Sequence, residues 1–101
     1  MFYIYIIYSE KHHKYYIGSS QNPWKRIDKH NTSTFNTFTA KYRPWDLVAV
    51  FQAGATRGDA EQIEKFIKKQ KSKVLLIKLV DPNFVPNGKL NQLVRVPHVR
   101  D

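Results

Sequence analysis

Arg26 and His30 stand four residues apart in a run that reads as a helix, so they share one face. A guanidinium there can bind phosphate oxygens bidentately, and an imidazole can accept or relay a proton near neutral pH. Glu64, beside the apolar stripe of a later helical run, is a carboxylate able to hold Mg²⁺. That ion needs only one or two carboxylates, because water and substrate phosphate complete its shell. Tyr5 and Tyr16 can supply phenols. A phenol has an ordinary pKa of about 10, which a metal or cation must lower before it can act as a base.

Each group also has a plainer reading. Strand tyrosines commonly pack in a core, a solvated basic helix face explains Arg26 and His30 equally well by spacing, and Glu64 is placed to pair with Lys68 at i+4.

Composition narrows the chemistry. The 101 residues allow one domain, and 42% hydrophobic with 14% aromatic residues is enough apolar material for a core. Seventeen Lys and Arg against eight Asp and Glu give a net charge of +9, a field that favours polyanions. Two-metal nucleases need several acids converging on one site, and eight acids, half of them adjacent to Lys or Arg, make a single-metal site the better fit. With no cysteine, disulfides, thiol catalysis and cysteine zinc sites are excluded. His12 and His13 point opposite ways in an extended chain, and His30 and His98 are far apart, so zinc is not expected.

The longest apolar run, Phe2 to Tyr8, is too short to span a bilayer and has no basic segment before it. The expectation is a cytoplasmic protein facing nucleic acid, with no membrane partner. The lysines at 65, 68, 69, 71, 73 and 78, with no acid among them, suit sequence-blind binding to a phosphate backbone. Lys65, Lys68, Lys69 and Lys71, with Lys25 and Lys29 beside Arg26 and His30, are the candidate contacts. No Gly-rich phosphate loop, Ser-His-Asp order or RNP-type aromatic motif is present.

The elements that must position these groups follow from pattern. Residues 2 to 8 and 15 to 19 are β-branched and aromatic around the polar stretch Glu10 to Lys14, which predicts a hairpin. If its loop has an even number of residues, Tyr5 and Tyr16 project to the same side. Asn22 followed by Pro23 is a helix start, with the helix reaching about His30. Residues 31 to 39 read as a polar loop, and 42 to 45 as extended chain before proline. Residues 47 to 52 read as a third strand. Residues 59 to 71 read as a helix opened by Asp59, with Ala60, Ile63, Phe66 and Ile67 as its core stripe. Residues 73 to 80 are ambiguous between helix and strand, Asp81-Pro82 and Pro86-Asn87-Gly88 then break the chain, and 89 to 101 look like a basic, weakly structured tail.

Taken in order, Tyr5 in FYIYII, Tyr16-Ile17-Gly18, Arg26 eight residues after that glycine, His30 four later and Glu64 on the next helix resemble the GIY-YIG nuclease domain. The stretches SSQNPWKRIDKHN and KYRPWDLV are similar to its small stand-alone bacterial members, related to the catalytic domain of the excision-repair nicking endonuclease. The resemblance implies a mixed α/β fold of the α+β kind, a small three-stranded antiparallel sheet flanked by helices. Residues 1–80 would form the nuclease-like domain and 81–101 a basic extension.

The implied activity is metal-dependent hydrolysis of DNA phosphodiesters with Mg²⁺ or Mn²⁺, in DNA repair or recombination. A non-catalytic nucleic-acid-binding module of the same fold is the alternative, and a protein partner is compatible with either. By the same resemblance Tyr5 is the general base and Tyr16 supports the nucleophilic water. Arg26 stabilises phosphoryl charge, His30 assists Tyr5 or the proton transfer, and Glu64 holds the metal. Two positions depart from the family pattern. Tyr3 stands where the first motif has glycine, and the downstream Asn has two candidates, Asn83 and Asn91.

Overall fold

The computed structural model describes residues 1–32 and 38–97. His98, the far end of the tail and most of the expected polar loop lie outside them. The order is β1 (Phe2–Ser9), β2 (Lys14–Ser20), α1 (Pro23–Thr32), α2 (Phe38–Lys41), β3 (Asp46–Gly54), α3 (Arg57–Lys69), α4 (Lys73–Val80), a 3-10 turn (Gly88–Leu90) and β4 (Val94–Arg95). The strands form one antiparallel sheet in the order β2-β1-β3-β4. The expected three strands are therefore four. The extra pair was illegible because a two-residue strand has no period to read.

The hairpin loop runs from 10 to 13, an even number of residues, and Tyr5 lies opposite Gly18 with Ile7 opposite Tyr16. The two tyrosines consequently share a face, as the parity argument requires. Because β1 is central, both of its faces are buried, which is why its sequence is apolar throughout. Ile4 and Ile6 face Ile17, Ala49, Phe51 and the stripe Ala60, Ile63 and Ile67 of α3. Tyr5 and Ile7 face Trp45, Leu47 and Val50. Leu47 and Val50, three apart, reach the same side because the β1–β3 register shifts between Ile6 and Ile7, as a bulge allows.

The helix starts obey capping chemistry. Asn22 Oδ1 accepts the Lys25 backbone N–H at 3.0 Å, and Pro23 opens α1, which runs two residues beyond His30. For α3 the expected opening is corrected: Thr56 is the cap, its hydroxyl accepting the Asp59 N–H at 3.1 Å, and the helix spans 57–69 rather than 59–71. The ambiguous run 73–80 is a helix, capped by Ser72.

The expectation of a weakly structured tail is also corrected for the described residues. Leu90 and Leu93 are buried in the α3-side core, and β4 pairs with β3. Arg95 then donates to the carbonyls of Leu79, Asp81 and Phe84, so its charge serves as a clasp. Among the described residues no helix is long and apolar enough to cross a membrane.

Candidate active site

Tyr5 is the centre of the α1-side face, 2% exposed. The phenol end of its ring lies over Gly18 on the neighbouring strand: a Cβ at position 18 would stand 2.5 Å from the phenol oxygen and 2.7 Å from Cζ. Gly18 therefore leaves the space through which the phenol reaches the β2 edge. From α1, His30 meets that phenol, with Tyr5 Oη 2.8 Å from His30 Nε2. Tyr16 places its ring 5.2 Å from the His30 ring, edge to face. Arg43 Nε donates to the His30 carbonyl at 2.7 Å, and Asn31 brackets the Trp45 backbone through both amide atoms, at 2.7 and 3.0 Å. Those bonds fix the end of α1, and with it His30, against the start of β3.

Burial sets the protonation states. It raises the Tyr5 phenol well above the ordinary phenol range, with nearby Tyr16 adding to the rise, Arg26 opposing it and Glu64 adding a further increment. Burial, with Arg26 and then Arg43 repelling a positive ring, pushes His30 down to about 4. At neutral pH the phenol thus keeps its proton and His30 is uncharged, so the Tyr5–His30 hydrogen bond joins two neutral groups.

Arg26 is exposed and forms, with Ser20, Gln21, Asn22, Lys25 and Lys29, the wall of a cleft of about 260 Å³ at the end of β2. Glu64 comes from the other face of the sheet. Ile17 and Ser19 point toward α3 while Tyr16 and Gly18 point toward α1, and Glu64 reaches the edge between them. Its carboxylate accepts from Ser19 Oγ at 2.7 Å and from Lys68 Nζ at 2.6 Å. The ordinary i,i+4 pairing expected of Glu64 is present. It also extends the site, because Lys68 Nζ lies 5.7 Å from the centre of the Tyr16 ring and so crosses the β2 edge.

Tyr5 and Tyr16 both meet His30, Arg26 acts on Tyr5 and His30 at electrostatic range, and Glu64 arrives at the shared edge. Lys25 and Lys29 flank Arg26. Lys68 and Lys71 line a second cleft beyond Glu64, and Lys65 and Lys69 are exposed on α3. Asn83 and Asn91 both sit in the segment after α4, which packs on the α3 side, and neither has a described bond to these groups. Tyr3, in the place of the motif glycine, packs edge to face on Trp24 at 5.7 Å and so holds the first turn of α1.

Ser19, Asn31 and Arg43 escaped sequence reasoning. Only the Asn that follows His30 and the Ser that follows Gly18 carried a local hint, and their partners lie 14 and 45 residues away.

Among the described residues no three His, Cys, Asp or Glu side chains gather as a metal-binding cluster. The donor set still suits a hard ion bound mostly by water and phosphate. Glu64 is a carboxylate 19% exposed, with a hydroxyl beside it and a strand edge open to a ligand.

No curated protein sequence matches the chain. The sequence profile of the GIY-YIG catalytic domain matches residues 1–76 of the 101, three quarters of the chain and every element that carries these groups, and the chain belongs to that family.

Proposed function

We propose that this protein is a metal-dependent endonuclease that hydrolyses DNA phosphodiester bonds, serving DNA repair or recombination in the cytoplasm. The reading rests above all on one observation: a buried, protonated phenol is hydrogen-bonded to a neutral imidazole at a basic strand edge that also presents a carboxylate. Glu64 would hold Mg²⁺ or Mn²⁺, with Ser19 beside it. The bound ion would supply Lewis-acid stabilisation of the phosphate and lower the proton affinity of oxygens near it.

The protein's own groups do the rest. Tyr5 passes its proton to His30 Nε2 and takes one from water, so the phenol remains protonated while the water oxygen attacks phosphorus in line. Tyr16 holds that water. Arg26 donates to the non-bridging oxygens as their charge grows, an interaction strongest in the transition state. The bond to the leaving oxygen breaks, and solvent protonates it. Lys68 must release Glu64 when the ion binds, and a phosphate close to Tyr16 offers its ammonium a replacement partner.

Purified protein is expected to nick supercoiled plasmid or branched DNA with Mg²⁺ or Mn²⁺. Glu64→Ala and Arg26→Ala should each lose product by at least about a hundredfold, the scale of one removed transition-state contact, with Glu64→Ala still binding DNA. Salt-sensitive binding without product under every divalent ion and DNA form tried overturns the enzymatic reading and leaves a binding module.

A further inference from the structure

The β2 strand backs onto a second cleft that the chemistry above does not use. It has a volume of about 380 Å³ and lies between the hairpin and the turn joining α3 to α4. Its floor is Tyr15, Ile17 and Leu76, and Lys68, Lys71 and Lys73 stand at its rim, with no carboxylate in the lining. Two features couple it to the candidate site. Lys68 belongs to the rim and also binds Glu64. Ile17, in the floor, lies between Tyr16 and Gly18 in the chain, so cleft and site occupy opposite faces of one edge strand.

We propose that this cleft receives a base of an unpaired DNA strand whose backbone crosses the β2 edge at Glu64. The proposal rests on the nuclease reading and names its substrate class. An aromatic and aliphatic floor suits the face of a base, and the lysine rim suits the phosphates on either side of it. A bare phosphate would leave the apolar floor unused. The volume lies within the range of about 300–1,000 Å³ usual for small-ligand sites. A base still paired carries its complementary strand with it and cannot descend below a strand edge. From Lys14 to Ser20 the edge is roughly 20 Å long at about 3.3 Å per residue, so only a few nucleotides separate this cleft from the Arg26 cleft. The favoured substrate is therefore single-stranded DNA, or a branch with unpaired nucleotides next to the cut.

The test measures binding by the full-length protein in chelator, where no cleavage occurs. Fluorescence anisotropy compares an oligothymidine strand, a strand of the same length with base-free sugars, and a duplex. The base-free strand and the duplex are expected to bind about tenfold more weakly than oligothymidine, the effect of losing one stacked base. Leu76→Trp, which fills the cleft, should bring oligothymidine down to the base-free value and leave the base-free strand unchanged. A 5-iodouracil strand should photo-crosslink to Tyr15 of the wild type, a result independent of whether Leu76→Trp folds.

Equal affinity for the three ligands, a folded Leu76→Trp that keeps the base effect, or crosslinks confined to other residues overturns the proposal. Because the measurement needs no metal, the two readings fail separately. A protein that prefers bases but never cuts loses the enzyme and keeps the cleft, and one that cuts but ignores bases does the reverse.

Discussion

Gly18 and His30 confine the Tyr5 phenol from two sides, and each can be perturbed alone. Gly18→Ala places a methyl group 2.5 Å from the phenol oxygen, and because Tyr5 is buried the ring has no free direction in which to yield. The expected cost is about 1–3 kcal/mol, as for other overpacked sites, read as a lowered thermal unfolding midpoint, together with loss of nicking as the ring leaves His30. Unchanged stability and activity would show that the ring is not confined. His30 gives a pH signature. An unfolded histidine titrates near 6.5 and this one near 4, so between those values the unfolded chain holds a proton that the folded chain lacks. Stability must then fall as pH is lowered from about 6.5 toward 4, beyond the fall due to carboxylates. His30→Gln keeps an acceptor for Tyr5 and removes the titration, so its urea midpoint should lose less over that window than the wild type does. Tyr5, Tyr16, Arg26, His30 and Glu64 were legible as candidates because their order and spacing together resemble the family motif. Ser19 and Arg43 were not, since what singles them out is a partner on another element.

At the scale of elements, α1 carries two candidate site residues yet buries little of itself: Pro23 is its one buried residue, and Ile27 is partly covered. Its position depends on polar ties at its end and on Trp24 against Tyr3 at its start. Asn31 supplies two of those ties, donating to the Trp45 carbonyl and accepting its N–H. Asn31→Ala should cost about 2 kcal/mol, roughly 1 for each hydrogen bond, and lower nicking more than stability alone explains, because α1 then swings with Arg26 and His30. Nicking retained in proportion to the folded fraction would place the control of α1 elsewhere. The hairpin, the Asn-Pro start of α1 and the core stripe of α3 could all be read from sequence because each has a period or a cap. The run 73–80 could not, since its apolar residues suit either a helix or a strand, and only the Ser72 cap and the packing of buried Leu79 decide between them. The true start of α3 was missed because Asp59 and Thr56 are both capable caps and position alone selects Thr56.

For the molecule as a whole, the central sheet separates two apolar layers, one on the α3 side and one under the candidate site. Closure of the α3 side involves the segment after residue 80. Leu90 and Leu93 are each 5% exposed against the same cluster as Ile4, Ile6 and Phe51, and Arg95 lies over the Phe51 ring at 4.6 Å while holding three carbonyls near α4. From sequence, residues 89 to 101 read as a tail because they are few, basic and follow the breaks at Pro82 and Pro86, while their leucines are too few to show a period. Their energetic weight is nevertheless large. A buried leucine truncated to alanine costs about 2–5 kcal/mol, so two removed whole approach the full stability of about 5–15 kcal/mol typical of a small domain. A chain ending at Val80 would also expose Phe51 and Ala53 along the β3 edge that β4 now covers. That truncated chain is expected to lose cooperative thermal unfolding and, with it, metal-dependent nicking, although every proposed site residue is retained. Leu93→Ala, a milder change, should lower the unfolding midpoint and leave the nicking rate of the folded fraction unchanged. A chain of residues 1–80 that melts cooperatively near the full-length midpoint would instead make the segment a separable extension.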